Sequence, residues 1–267
     1  MGKILNKNKK PISMVILSFL LTGIFFFATA QEVWEITSQV NWNQMEEEYV
    51  RLANKETLLE EDFVPADLVK ITVRRTSGTA IEMRTIASQA LTAMFDQATA
   101  EGITLYAHSG YRSYRTQKTM YYNRLERNNG VDDGAVAFPG SSDHQTGLGI
   151  DVISKEWIGK RFNADFAQTK EAQWMKENCW DYGFIIRYPE DKEEITQIIY
   201  EPWHLRYVGV AAAQYIKEEN LTLEEFTPIW REQMEGESSA NMQSFDPAAT
   251  LTPEEISKGE ISWFEEP

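Results

Sequence analysis

The clearest periodic pattern in the chain lies between residues 83 and 98, where apolar residues recur at intervals of three and four. This period predicts an amphipathic helix with one apolar face, and Gly102 stands where a C-terminal cap belongs. A second helix is predicted to begin at Ser113 and to run to the Asn-Asn-Gly sequence at 128–130. A third helix is predicted over about residues 169–182.

Short apolar runs that are typical of strands stand between these helices. A further helix at 209–220 follows the last run, and Thr222 and Glu225 have the spacing of a capping box for one last short helix. Because helices and strands mix without a regular strand-helix-strand rhythm, the predicted fold class is α+β, with an antiparallel sheet flanked by helices. The runs are ITLYA (103–107), LGIDVI (148–153), FIIRY (184–188) and TQIIYEPWHLRYV (196–208).

The two ends of the chain differ in composition from the middle. Residues 1–30 carry four lysines, then a long apolar run and Ala-Thr-Ala, which predicts a secretory signal peptide or an uncleaved N-terminal membrane anchor. Either interpretation places the remainder outside the cytoplasm, because the lysines stay inside. Residues 31–60 are predicted to be a helical lead-in, 61–228 a globular domain and 229–267 an acidic, mobile tail.

The charge of the chain limits its partners. A formal net charge of −15 argues against nucleic acid, and we expect membrane contact only through the N-terminal segment, if that segment is not cleaved. Hydrophobic residues make up 42% of the chain, which is enough for a substantial core. Cys179 is the only cysteine, so no internal disulfide can form, and we expect its thiol to be buried as a small hydrophobic group.

The first stretch with candidate chemistry is SSDHQTGLGIDV, residues 141–152. It holds His144 and Asp151, and the glycines between them allow the backbone to turn so that a loop histidine and a strand aspartate converge. Histidine and carboxylate side chains are ligands of catalytic zinc. Taken alone, the stretch is more typical of a surface loop with a hydrogen-bonded His and Asp pair.

The second stretch is YEPWHLRY, residues 200–207, which supplies a third candidate ligand, His204, and a carboxylate, Glu201. Glutamate is the usual base that takes a proton from a zinc-activated water. Three residues apart on a straight strand, the two side chains would point to opposite faces, so Pro202 predicts a bulge or twist that turns both the same way. The alternative is an edge strand with an ordinary histidine.

The third stretch is SGYRSYRTQ, residues 109–117. Arg112 is predicted at the end of a strand, where its guanidinium could stabilise an oxyanion or hold a carboxylate, and Gln117 could add a polar contact. The alternative is a surface arginine paired with an acid. The neighbouring His108 is expected to be structural.

In their order and separations, SGYRS, SSDHQTGLGID and EPWHLRYVG resemble the VanY-type D-alanyl-D-alanine carboxypeptidases, which are zinc peptidases of the bacterial cell wall. The resemblance runs from about Leu52 to Phe226, and three motifs in order make it specific. It implies a zinc fold of the lysostaphin, D-Ala-D-Ala peptidase and hedgehog type, with 61–228 as the catalytic domain. It also implies one Zn²⁺ per chain, held by His144, Asp151 and His204.

The resemblance also implies roles for the remaining candidates. Glu201 would be the general base. Arg112 would stabilise the tetrahedral oxyanion and help to hold the substrate, Ser142 and Gln117 would bind its terminal carboxylate, and Tyr188 and Trp203 would line the pocket.

The function that the resemblance implies is removal of the C-terminal D-alanine from peptidoglycan stem peptides, as a D,D- or an L,D-carboxypeptidase secreted or anchored at the cell wall. A lysin-like endopeptidase and a non-catalytic zinc or wall-binding module are the alternatives. Glu201 and all three implied ligands are present, which argues against the module. We expect a monomer. The family usually has alanine where this chain has Gly149, which predicts a slightly looser backbone there.

Overall fold

The computed structural model of the protein describes residues 41–244. The predicted signal peptide or anchor at 1–30, the first part of the predicted lead-in and the chain after 244 lie outside the described residues. Within 41–244, no helix is both long and apolar enough to cross a membrane.

The described chain begins with two short helical turns in place of the predicted helical lead-in. A 3₁₀ turn at Trp42–Gln44 is followed by α1, Glu47–Val50, and the chain is then largely extended up to β1, Leu68–Lys70. β1 pairs antiparallel with β2, Glu82–Arg84, to form a two-stranded sheet. We refer to residues 41–63 as the N-terminal segment.

Helix α2 spans Thr85–Ala100, as its apolar period predicted. One face is buried in the main core through residues that include Leu91, Met94 and Phe95. Gly102 follows the helix with a φ of +78°, a conformation that a glycine adopts without a steric penalty. The predicted cap is therefore confirmed.

The centre of the fold is a four-stranded antiparallel sheet with strand order β3-β4-β6-β5. Its register places Asp151 of β4 directly opposite His204 of β6, and Ser109 of β3 opposite Asp151 on the other side. Side chains from the three predicted motifs thus meet on neighbouring strands. The strands are β3, Leu105–Ser109; β4, Gly149–Ser154; β5, Phe184–Ile186; and β6, His204–Tyr207.

Helices cover the faces and ends of this sheet. The second predicted helix is capped at Ser113, whose hydroxyl accepts a hydrogen bond from the backbone N–H of Thr116. The third ends in a 3₁₀ turn, Cys179–Tyr182, and Cys179 is buried as predicted. The helices are α3, Tyr114–Arg127; α4, Lys170–Asn178; α5, Glu193–Thr196; and α6, Val210–Glu218.

The last helix, α7, spans Leu223–Ser244. Its predicted capping box is present: the backbone N–H of Glu225 donates to the hydroxyl of Thr222, and the backbone N–H of Thr222 donates to the carboxylate of Glu225. The expectation of a short helix and of a tail from 229 is wrong at this point, because the helix continues and Trp230 is buried with Phe226 in a second core. Composition misled here, since Glu232 and Glu235 lie at exposed positions close to the buried aromatic residues of this helix.

Candidate metal centre

We refer to residues 141–148, the loop that carries the first motif, as the metal loop, and it is buried throughout. Residues 141–150 have little exposed surface, and a 3₁₀ turn at Asp143–Thr146 leads into β4. A surface loop with a hydrogen-bonded pair, the alternative that the motif alone allowed, is therefore excluded. The turn directs the side chain of His144 back towards the strand that carries Asp151.

Three side chains meet at this point. One ligand atom each from His144, Asp151 and His204 lies within 4.8 Å of the others, and all three residues are buried. The Nε2 atom of His144 is 3.5 Å from one carboxylate oxygen of Asp151, and the Nδ1 atom of His204 is 3.0 Å from the other. Within residues 41–244, no other group of three or more such side chains could hold a metal ion.

The ring of His144 is held in one orientation. Its Nδ1–H donates to the backbone carbonyl of Gly110 over 2.7 Å, which leaves the lone pair of Nε2 directed at the centre. A Cβ at Gly110 would lie 2.5 Å from the carbonyl oxygen of Glu82, so only glycine allows this close approach. Burial and the nearby guanidinium of Arg112 lower the pKa of His144 to about 4, which keeps its imidazole neutral, the form that binds a metal.

The other two candidate ligands, Asp151 and His204, are also suited to binding a metal ion. Burial alone would raise the pKa of Asp151, but His144 and His204 hold it well below its usual value, so the carboxylate is ionised. The Nε2 atom of His204 is buried and has no hydrogen-bond partner, while its Nδ1 atom faces Asp151. Two imidazoles and one carboxylate with converging lone pairs fit a divalent cation such as zinc.

Glu201 lies beside the three donors, in a turn that precedes β6. The backbone N–H of His204 donates to the carbonyl of Glu201, and the N–H of Glu201 donates to the carbonyl of Tyr188. One carboxylate oxygen of Glu201 is 3.7 Å from Nδ1 of His204. The two side chains therefore point the same way, through a turn and not through the predicted bulge. Burial and the charge of Asp151 raise the pKa of Glu201 well above its usual value, and Arg112 opposes the rise.

Arg112 follows β3 and is fixed to the metal loop, because its backbone N–H donates to the carbonyl of His144. Its guanidinium donates to the amide oxygen of Gln117 at 2.7 Å and to the hydroxyl of Ser109 at 3.1 Å. Gln117 is fully buried and also donates to the carbonyl of Ala137, so in this structure it supports Arg112. A direct contact of Gln117 with substrate stays a prediction.

The centre opens into a cleft of about 960 Å³. Ser142, Tyr188 and Trp203 line it, as do Arg112 and Gln117, so all the implied substrate residues surround one space. The ring of Tyr188 lies 5.0 Å from that of His204, and Trp203 contacts Phe162 at 5.1 Å. His108, expected to be structural, is exposed at the wall of the cleft.

Comparison with known proteins places this site in a family. Residues 80–210 match the model of the VanY family, described as D-alanyl-D-alanine carboxypeptidase. The chain is 44% identical over 187 residues to the putative carboxypeptidase YodJ of Bacillus subtilis, a match that covers 68% of each chain. The chain belongs to the VanY family. The predicted family, and with it the predicted enzyme class, are confirmed.

Further relatives are named for their activities. A D-alanyl-D-alanine carboxypeptidase of Enterococcus faecium is 36% identical over 160 residues, which cover 60% of this chain and 48% of that protein. The solved structure of the LD-carboxypeptidase LdcB is 45% identical, with a TM-score of 0.62, over 66% of this chain and 83% of that one. The D,D-pentapeptidase VanY in complex with Zn(II) is 30% identical, with a TM-score of 0.56, over 67% and 99%. These structures confirm the predicted fold.

The glycine that departs from the usual VanY-family pattern is closely packed. A Cβ at Gly149 would lie 3.0 Å from the carbonyl carbon of Asp143, which is tighter than most real contacts. The absence of a side chain therefore lets β4 approach the metal loop, and the expected looser backbone is not what the packing indicates.

Four buried charged residues behind the metal loop escaped the sequence analysis. Asp143 accepts hydrogen bonds from both Arg187 and Arg206, and Arg187 also makes a bidentate pair with Glu224 at 2.6 and 2.8 Å. We call these four residues the buried charge network. A signal for it existed in the sequence, since Arg187 and Arg206 interrupt the otherwise apolar and aromatic runs FIIRY and WHLRYV.

The N-terminal segment is bound to the metal loop and to β6 by side chains. Arg206 donates to the carbonyls of Tyr49 and Arg51 at 2.9 and 2.8 Å. Gln145, next to the first ligand in sequence, donates to the carbonyls of Glu60 and Phe63 at 2.8 and 3.3 Å. The segment therefore forms part of the wall behind the metal centre, although it precedes the region that matches the family model.

Proposed function

We propose that the protein is a zinc-dependent carboxypeptidase that removes the C-terminal D-alanine from peptidoglycan stem peptides. The observation that carries the proposal is the convergence of His144, Asp151 and His204 on one point, with Glu201 and Arg112 on the same cleft. The activities for which the relatives are named, and the Zn(II) in the VanY structure, support the choice of substrate and metal.

Each side chain at the centre has a distinct task in this proposal. Zinc held by His144, Asp151 and His204 would supply a water of lowered pKa and a positive charge beside the scissile carbonyl. Glu201 takes a proton from the attacking water as the oxygen bonds to the carbonyl carbon. It passes that proton to the nitrogen of the departing D-alanine as the carbon-nitrogen bond breaks.

Arg112 and its neighbours hold the substrate. Its guanidinium donates hydrogen bonds to the carbonyl oxygen as negative charge develops there, and Gln117 and Ser109 keep it in position. The Ser142 hydroxyl binds the terminal carboxylate, and Tyr188 and Trp203 form apolar walls of the pocket. The support is the location of all these groups around the same cleft.

We further propose that the preferred substrate is the tetrapeptide stem, in which the D-alanine follows a diamino acid. The 45% identity to the LD-carboxypeptidase LdcB, against 30% to the D,D-pentapeptidase VanY, favours this substrate over the pentapeptide. We place the enzyme outside the cytoplasm, where peptidoglycan lies, acting as a monomer. The predicted signal peptide or anchor at 1–30 supports this location.

The test is mass spectrometry of tetra- and pentapeptide muropeptides incubated with the enzyme, with and without a chelator. We expect the tetrapeptide to lose one alanine faster than the pentapeptide does, the chelator to stop the reaction, and added zinc to restore it. Release of a fragment larger than alanine would establish the endopeptidase alternative. Cleavage that persists after complete removal of metal would refute the proposed function.

A further inference from the structure

The buried charge network lies directly behind the proposed metal site. Three of its four members are within two positions in sequence of a residue of that site. Asp143 precedes the ligand His144, Arg187 precedes Tyr188, and Arg206 follows His204 by two positions. The backbone N–H of Arg187 also donates to the carbonyl of His204 at 3.1 Å, and its guanidinium lies 4.8 Å from the ring centre of Tyr188. None of the four members lines the cleft.

The network is deeply buried and electrically balanced. Asp143 and Arg206 are 0% exposed and Arg187 is 1% exposed, while the side chain of Glu224 is 10% exposed. Two guanidinium groups face two carboxylates, so no charge is left uncompensated. One carboxylate oxygen of Asp143 accepts a hydrogen bond from Arg187, and the other accepts one from Arg206.

Glu224 joins this network from outside the region of the family model. It stands in the first turn of α7, after the match to residues 80–210 has ended, and both its carboxylate oxygens accept from Arg187. Bidentate pairs of this kind fix the plane of a guanidinium as well as its position. In the orientation that pairs with Glu224, Arg187 also presents its Nε–H to Asp143, at 2.5 Å.

We propose that Glu224 is a positioning residue for the metal centre, acting through Arg187 and Asp143 on the backbone that presents His144 and Tyr188. The inference rests on the proposed metal site. Glu224 orients Arg187, Arg187 and Arg206 fix the carboxylate of Asp143, and the 3₁₀ turn that begins at Asp143 places the first ligand. Groups that orient metal ligands from behind typically change metal affinity or activity by about 10–100-fold when they are altered.

The chain offers a matched control on the same turn of the same helix. Glu225 makes an ion pair with Lys192 at 3.1 Å, and none of the hydrogen bonds or ion pairs of its side chain goes to the buried charge network. Glu225→Gln removes one negative charge and one ion pair, as Glu224→Gln does, and glutamine can keep the capping bond to the N–H of Thr222. A loss that comes only from a weakened α7 would therefore appear in both variants.

The experiment compares wild type, Glu224→Gln and Glu225→Gln by three measurements. These are steady-state kinetics on the tetrapeptide, zinc affinity by competition with a chelator, and the visible absorption spectrum of the cobalt(II)-substituted protein, which reports ligand geometry. For Glu224→Gln we expect kcat to fall about 10-fold or more with KM within about twofold, zinc to bind about 10-fold more weakly, and the cobalt spectrum to change. Glu225→Gln should match the wild type in all three.

A double variant separates positioning from stability. Arg187→Met combined with Glu224→Leu removes both charges of the pair, so it leaves no unpaired buried charge and should fold. We expect it to keep the lowered kcat and the altered cobalt spectrum even where its melting temperature is close to that of the wild type.

Equal zinc affinity, kcat and cobalt spectra in wild type and Glu224→Gln would overturn the inference, as would equal losses in Glu224→Gln and Glu225→Gln. Failure of the wild type to bind zinc or cobalt would instead refute the proposed function.

Discussion

Replacement of Glu201 by glutamine is the sharpest test of the proposed chemistry. The side chain is 13% exposed and its carboxylate lies 3.7 Å from Nδ1 of His204, so an amide of nearly the same shape leaves the metal ligands in place. The other acids that line the cleft are Asp151, which is a proposed ligand, Asp133, which is paired with Arg124, and Glu193 at an exposed position. None of them can replace a base at this position.

The expected loss follows from the proton transfers that Glu201 performs. A positioned acid or base contributes about 10²–10⁴-fold to the rate, which corresponds to about 3–5 kcal/mol of transition-state stabilisation. We expect kcat for D-alanine release from the tetrapeptide to fall by that factor, with bound zinc per chain unchanged by elemental analysis. The exposed Glu194→Gln, which removes a charge outside the cleft, is the control. A Glu201→Gln enzyme with full zinc content and kcat within about tenfold of the wild type would refute the assignment of the base.

Three further predictions follow from the described contacts. Arg112→Lys should lower kcat/KM about 100-fold, because lysine cannot reproduce the paired contacts with Gln117 and Ser109; steady-state kinetics measure this, and a change below threefold would contradict it. Burial raises the pKa of the Cys179 thiol, so a thiol reagent should label the native protein hardly at all and the guanidinium-unfolded protein fully; rapid native labelling would contradict the buried position. Phe166→Ala should reduce the free energy of unfolding by about 3–5 kcal/mol in urea titrations, because the ring is 0% exposed in the main core; a loss below about 1 kcal/mol would show that the site collapses around the cavity.

Those parts of the fold that depend on local sequence were predictable. The cap at Ser113, the capping box at Thr222 and Glu225, and the apolar face of α2 each depend on residues within a few positions of one another. The metal centre was predictable for a different reason: its donors lie in short motifs whose identity and order are specific, even though their convergence depends on the register between β4 and β6.

The parts that could not be predicted depend on contacts distant in sequence or on backbone detail. A strand pattern could not reveal that Glu201 lies in a turn before β6, since residues that are typical of strands stand on both sides of Pro202. The bonds from Gln145 and Arg206 to backbone carbonyls span 82 to 157 positions, and a carbonyl carries no sequence signal. The end of α7 was also predicted too early from composition, because a helix with few buried residues has a composition similar to that of a tail.

The attachment of the N-terminal segment to the metal loop determines how much of the chain makes up the working enzyme. A fragment trimmed to residues 80–210 would remove the carbonyls that Gln145 and Arg206 bind and the carboxylate that Arg187 binds. Each buried donor left without an acceptor costs about 1–3 kcal/mol, and all three adjoin the site in sequence. The smallest unit expected to fold and bind metal therefore extends from the first described turn, near Trp42, through the buried Trp230 of α7. The match to the family model alone would place both boundaries inside that unit.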